Sequence, residues 1–396
     1  MVFAAHCQAQ GKNLLFYGNS YSSRNGSVAE MVMRIAEQAG QPTPTIVKRF
    51  ATGEDLNHHA SNSGQVAAIS NSLPGNQEWD CVVMQGQSLE ATQAQGNPTL
   101  FRARAQTIVG NVRSHSPAAK AVLYQTWARA LGHHYYPATF ASPMSMHNEI
   151  RSNYRLATDD INTLFGPGTA RNAAAGDGVA LLEWMPSIYD QDLFHPAPIM
   201  TLLVSMCLYT SVYDEQVCGI PISFQQGGSL VNWLTSLGLN ENGWHAMAAI
   251  ADRCADPSLR TFPGSGDHLL LESGTLPGRV NACANIPISQ GQLLVLRLSS
   301  LNGVYDLSSN LLLANVFPNG LPPAPSIIWP ELQIDTGTML VLSSANYLAT
   351  SHSFVIGVPF SFPGASVLVQ GLAWGPSSET GNAHFTTTDA HVLEFQ

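Results

Sequence analysis

The sequence predicts an α/β sandwich, a parallel sheet with helices on both faces (flavodoxin-like, three layers), followed by an all-β module. Two observations predict it. Up to about residue 255, short apolar runs alternate with stretches of helical periodicity, the grammar of a parallel sheet covered on both sides. Beyond that point helical periodicity vanishes, and apolar segments are separated by Gly, Pro, Ser and Asn turns. The chain has 396 residues, 45% of them hydrophobic, enough for two cores.

The strand candidates of the first part are Asn13–Tyr17, Thr45–Phe50, Cys81–Met84, Ala121–Tyr124 and Val179–Trp184. The first helix follows the turn Gly18-Asn19-Ser20. Ser27-x-x-Glu30 reads as a capping box, Val28, Met31, Val32, Ile35 and Ala36 recur at helical spacing, and Gly40 can end the element. A second helix is carried by Leu100, Phe101, Ala105, Ile108, Val109 and Val112, and a third by Ile150, Tyr154, Ala157, Ile161 and Leu164. NGWHAMAAIADRCADP (242–257) reads as the last helix, with the boundary near Asp256-Pro257. The later segments HLLLES, QLLVLRLSS, TMLVLSS, SFVIGVPF and SVLVQGLAW are strand-like and suggest a sandwich. The expected domains are a tail at 1–11, an α/β domain at 12–255 and a β domain at 256–396. The last is either a binding domain for a polymer or a stabilising partner.

Only 11% of residues are charged, against roughly 25% in ordinary soluble domains, and three lysines stand beside fourteen arginines. A net charge of -10 without a basic cluster excludes nucleic acid and anionic membrane surfaces as expected partners. No apolar run reaches the roughly 18–20 residues of a membrane span. MVFAAHCQAQGK reads either as the remnant of a secretory signal or as a strand-like start. The six cysteines lack Cys-x-x-Cys spacing. Cys207/Cys218 and Cys254/Cys283 each flank a loop-rich segment and suggest local disulfides, while Cys81 reads as a buried thiol. Together these features suggest a secreted or periplasmic protein.

In a doubly wound sheet, functional groups gather at the carboxyl ends of strands. Gly18-Asn19-Ser20 follows the first strand, Gly53 the second, and Gln85-Gly86-Gln87-Ser88 the third. Asp192-x-x-His195 follows the last apolar run. Ser20 needs a base before it can attack, and His195 is the natural one near neutral pH. Asp192 is spaced to orient that imidazole. The backbone amides of Ser20 and Gly53, with an amide side chain from Gln87 or Gln85, would serve a developing oxyanion.

This order of motifs resembles the SGNH, or GDSL, hydrolase superfamily over roughly residues 12–255. LYQTWAR (123–129) and the reading GNS instead of GDS are similar to one branch of it. The resemblance implies the SGNH hydrolase fold and ester hydrolysis, with Ser20 as nucleophile, His195 as base and Asp192 as its partner, without metal or cofactor. Two departures stand out. Asn19 replaces the commoner acid, and the third block reads QGQS where Gly-x-Asn is usual, so Ser88 occupies the asparagine position. Gln87 is therefore read as the third oxyanion donor, with Gln85 as the alternative.

Asn19, Trp127, Arg129, His134 and Tyr135 are candidate substrate contacts on the same rim. His58-His59 and His133-His134 read as loop residues, not as metal ligands, and Asn25-Gly26-Ser27 is a formal glycosylation sequon. The expected function is hydrolysis of carboxylic esters with acetyl or short-chain acyl groups, on small molecules or polysaccharides. The competing reading is a catalytically silent carbohydrate- or polymer-binding protein on the same fold.

Overall fold

The computed structural model describes residues 10–255, 262–267, 269–276, 280–281, 285–300, 304–346, 348, 351–358 and 364–395. Most of the N-terminal tail, Cys7, Cys283 and the Asp256-Pro257 boundary lie outside the described residues. The chain divides into two units, one ending at Met247 with Cys254–Asp256 added, the other comprising Ala248–Arg253 and the chain from Pro257 onward.

The first unit is built on five parallel strands, β1 (Asn13–Gly18), β2 (Thr45–Phe50), β3 (Cys81–Met84), β4 (Lys120–Tyr124) and β5 (Ala170–Ala173), in the order β2-β1-β3-β4-β5. Its helices are α1 (Ser20–Ser23), α2 (Val28–Gln38), α3 (Leu56–Ser61), α4 (Ser63–Asn71), α5 (Pro98–His115), α6 (Pro143–Phe165), α7 (Ala175–Leu181), α8 (Pro198–Tyr213), α9 (Ser229–Ser236) and the first part of α10 (Glu241–Arg253), whose residues Ala248–Arg253 belong to the second unit. Strand order reverses between β1 and β3, so the crevice beyond their carboxyl ends is where such a sheet presents ligand-handling groups. The strands β1 and β3 are buried throughout, as near-continuous apolar runs covered by helices must be.

Local signals account for the helix that follows Ser20. Ser27 caps α2, its hydroxyl accepting from Ala29 N, and Gly40, at φ 79°, lies just past the helix end. The return arm of the expected capping box is absent, because Glu30 pairs with Lys48 on β2 at 2.6 Å instead. The predicted strand at Val179–Trp184 is a correction. Val179–Leu181 completes α7, and Glu183 and Trp184 turn with positive φ. The fifth strand is Ala170–Ala173, whose middle residues Arg171 and Asn172 are only half-buried. An edge strand of this kind carries no apolar signature. Helix α8 is buried on nearly every side, so it shows no amphipathic period.

The second unit contains β6 (Leu269–Leu276), β7 (Val280–Asn281), β8 (Asn285–Ile288), β9 (Leu293–Ser300), β10 (Asn310–Pro318), β11 (Leu340–Ala345), β12 (Ser351–Gly357), β13 (Ala365–Trp374), β14 (Phe385–Thr387) and β15 (His391–Phe395). One sheet runs β11-β10-β13-β15-β8 with β14 alongside β13, the other β12-β9-β6-β7. Leu271, Leu296 and Leu298 from the smaller sheet share a core with Leu312, Val369 and Leu393 from the larger, which makes a sandwich. The outer face of the larger sheet is covered in turn by Leu332 and Ile334. Trp329 and Trp374 both stand edge-on to the buried Phe385.

The two local disulfides expected from spacing do not form. Cys207 lies inside α8, 2% exposed, and is a thiol, as is Cys254, whereas Cys218 is disulfide-bonded. A cysteine fixed in a packed helix cannot swing to a loop eleven residues on. Cys81 is a buried thiol, pushed up to about 12 by desolvation. Among the described residues no helix is long and apolar enough to cross a membrane.

Candidate functional site

At the end of β1 the chain must turn hard within van der Waals reach of the β3 loop. A Cβ on Gly18 would fall 2.3 Å from Ser22 Oγ and 3.1 Å from Gln85 Oε1, so only glycine fits. Asn19 then caps α1, its Oδ1 accepting from Tyr21 N, and Ser20 is the first residue of that helix. The sharp exit leaves Ser20 half-buried beside His195.

The loop between α7 and α8 supplies the other half. Asp192 Oδ1 accepts from the amides of Phe194 and His195, with Leu193 at φ 63° closing the turn. Its other oxygen faces the ring: Asp192 Oδ2 lies 2.6 Å from His195 Nδ1, and His195 Nε2 lies 2.9 Å from Ser20 Oγ. With the ring proton on Nδ1, Nε2 is left to accept from the serine hydroxyl. Burial acts to raise the Asp192 carboxyl, but the His195 amide, the imidazole and the Phe194 amide outweigh it and hold the group below the ordinary aspartate range. Arg24, which pairs with Asp190, also reaches Asp192 at 3.9 Å. The segment lies ahead of α8, which begins at Pro198 with Ala197 as its cap.

Asn19 is a correction to the list of substrate contacts. It is 3% exposed and joins three loops. Its Nδ2 donates to Glu54 O at 3.0 Å, its Oδ1 accepts from Gln85 Nε2 at 2.8 Å, and its backbone N–H donates to Gln85 Oε1 at 3.1 Å. The site therefore demands a side chain that both donates and accepts. An aspartate would set an anion against the Glu54 carbonyl, which gives GNS a physical reason here.

Gln85 is a second correction. Its amide is fully buried and spent, donating to Asn19 Oδ1 and to Gly86 O at 2.6 Å, and accepting from Asn19 N and from Ser22 Oγ at 2.7 Å. It is thus unavailable to a substrate oxygen. Gln87, half-buried, uses its amide oxygen to accept from Leu89 N at 2.7 Å. Gly53 sits exposed in the turn closed by Glu54 N–H donating to Ala51 O, at φ 76° where a side chain would be strained. Ser88 lies apart from any imidazole in this network, its hydroxyl accepting from Arg129 Nη2 at 3.0 Å.

Trp127 is also buried, at 0% exposure, and braces the site from beneath. It stacks on Tyr21 with ring centroids 4.6 Å apart and donates from Nε1 to Phe194 O at 3.1 Å. No part of its side chain is open to solvent. Arg129, 5% exposed, donates to the Tyr21 hydroxyl as well as to Ser88. Tyr135 is half-buried with its ring 5.8 Å from the Arg129 guanidinium carbon, and His134 is exposed, stacked on His133. His58 and His59, expected in a loop, lie in α3, and His59 is 1% exposed with its Nε2 3.1 Å from Gly18 O. Burial pushes its ring down to about 4, so it stays neutral and donates to that carbonyl. Asn25 is likewise occupied, donating to Pro196 O and to Thr201 Oγ1.

Glu90 was not anticipated at all. Its carboxylate accepts from Leu56 N at 3.2 Å and from Gln87 N at 2.9 Å, tying the β2 and β3 loops together. Desolvation pushes it up to about 7, and Asp55 adds to the rise against the pull of the two amides. Among the described residues no group of three or more His, Cys, Asp or Glu is placed to hold a metal ion.

No family model matches the chain, and no curated protein matches it. Solved structures similar to it include a candidate SGNH hydrolase from Slackia heliotrinireducens, 21% identical, covering 51% of this chain and 99% of its own, with a TM-score of 0.40. Another is a DUF4886 family protein from Bacteroides uniformis, 16% identical, covering 61% and 94%, TM-score 0.46. A third is a candidate GDSL-like lipase from Parabacteroides merdae, 13% identical, covering 52% and 96%, TM-score 0.39.

Proposed function

We propose that the first unit is a serine esterase that cleaves carboxylic esters through an acyl-enzyme on Ser20. The observation that carries this reading is the unbroken relay from Ser20 Oγ through the His195 ring to Asp192, at 2.9 and 2.6 Å. Ser20 Oγ attacks the acyl carbon while its proton passes to His195 Nε2, and Asp192 stabilises the imidazolium. The tetrahedral oxyanion receives hydrogen bonds from the Ser20 and Gly53 amides, with the Gln87 amide as third donor, each contributing roughly 3–4 kcal/mol. Collapse breaks the ester C–O bond, and His195 returns the proton to the departing alcohol. Water, deprotonated by the same imidazole, then frees the acid and restores Ser20.

Acetyl and short acyl groups, on small molecules or polysaccharides, are the proposed substrates, and the disulfide at Cys218 supports an exported location. The test is hydrolysis of p-nitrophenyl acetate, butyrate and octanoate by the wild type beside Ser20→Ala, with mass spectrometry for an acyl adduct. Activity in the wild type and none in the variant is expected. Activity that survives the substitution would sink the assignment of the nucleophile.

A further inference from the structure

Two arginines flank the relay, and they are opposites. Arg24 is 40% exposed by its side chain and has two carboxylates beside it, Asp190 and Asp192. Arg129 is 5% exposed and, among the described residues, has no carboxylate within ion-pair distance. Its side-chain hydrogen bonds go to two neutral hydroxyls, Tyr21 and Ser88, and its buried Nε has no hydrogen-bond partner among the described residues. The rings of Phe194 and Tyr135, at 4.7 and 5.8 Å from the guanidinium carbon, lend only their π faces. A permanent cation stripped of water and left without a counter-ion is costly, and removing it from water is offset only by a well-placed anion.

The position of that cation is informative. One arm holds Tyr21, the neighbour of the proposed nucleophile, and the other holds Ser88, three residues beyond Gln85 on the β3 loop. The Phe194 ring under the guanidinium has its centroid 4.2 Å from that of His195. Phe194 and Tyr135, whose rings lie against the guanidinium, are both half-exposed. A planar guanidinium with an unused Nε–H is the natural receptor for a carboxylate, which takes two parallel N–H donors.

We infer that Arg129 is the receptor for a carboxylate borne by the substrate, so that the preferred ester is anionic, with its acid group a few bonds from the scissile carbonyl. This rests on the esterase reading and names the substrate class for it. Two sources share the chemistry: a dicarboxylic acyl group, or a uronate in the alcohol part.

The experiment compares kcat/KM for mono-4-nitrophenyl succinate with its neutral methyl ester, and for acetylated galacturonate with acetylated glucose. A preference of about 30-fold or more for the anionic member of one pair is expected, carried mainly by KM, and the pair that shows it identifies the source. Arg129→Met, or Arg129→Gln should the first fail to fold by circular dichroism, should bring the ratio towards one. Equal rates within both pairs, or a preference that survives in the variant, would overturn the inference while leaving the esterase reading intact. If no ester is cleaved, that reading falls instead, and protection of the wild type against thermal unfolding by succinate or galacturonate decides. Protection lost in Arg129→Met supports the anion site, and no protection overturns it.

Discussion

Replacing Glu90 by glutamine should make the first unit more stable at pH 8 and change little at pH 4. Both amides held by this side chain reach Oε2, Leu56 N at 3.2 Å and Gln87 N at 2.9 Å, and Leu56 N also lies 3.3 Å from Oε1. A glutamine whose carbonyl takes that place keeps both bonds and removes the charge. The magnitude follows from the shift. Unfolded, the group titrates near 4.5; folded, near 7, chiefly because burial disfavours the anion. Between those values the unfolded chain binds fewer protons than the folded one, so stability falls as pH rises through the window. The wild type therefore lacks about 3 kcal/mol above pH 7 that it has below pH 4.5, at ~1.4 kcal/mol per unit. In a unit of this size the glutamine variant should gain roughly 6–12 °C over the wild type at pH 8. Calorimetry at pH 4 and pH 8 reads it, with hydrogen exchange across residues 45–91 to assign the transition. A difference between variant and wild type that is the same at both pH values would refute the reasoning, because Glu90 would then not titrate between them. A variant less stable at pH 8 would mean that the clamp needs its charge.

Two further outcomes follow from the relay and its supports. Asn19→Asp loses the Nδ2 bond to Glu54 O and places a carboxylate at a 3%-exposed site, so it should cost about 2–4 kcal/mol in urea unfolding at pH 7 and less where the acid is protonated. Asp192→Asn should lower kcat by roughly 10³–10⁴-fold with KM little changed, since the amide favours the wrong imidazole tautomer and cannot stabilise the imidazolium.

Much of the first unit was legible because its signals are local. Thr45–Phe50 and Cys81–Met84 match β2 and β3 end for end, the first through its β-branched start Thr45-Ile46-Val47 and the second as a buried apolar run. Helices α5 and α6 were found from their buried stripes, although each begins earlier than its first apolar residue, at a proline behind a capping side chain. Elements without a regular apolar period were not legible. Helix α8 is apolar all round, β5 is half-exposed, and β10, the long partner of β13 in the second unit, went unread in a stretch that alternates poorly.

By itself the sequence determined the alternation of strands and helices, and with it the rim where Gly18-Asn19-Ser20, Gly53, the QGQS block and Asp192-x-x-His195 meet. Hydrophobic period and turn chemistry act within a few residues, and strand order then follows from handed connections. Only the tertiary structure decided what each polar side chain does there. Asn19, Gln85 and Trp127 looked like groups offered to a ligand and are instead consumed by neighbours 66 or 67 residues away. Arg129 looked the same in sequence and, among the described residues, is left without a carboxylate. Whether a hydrogen-bonding group is spent or kept depends on the partners that distant segments bring to it, and no local pattern encodes that.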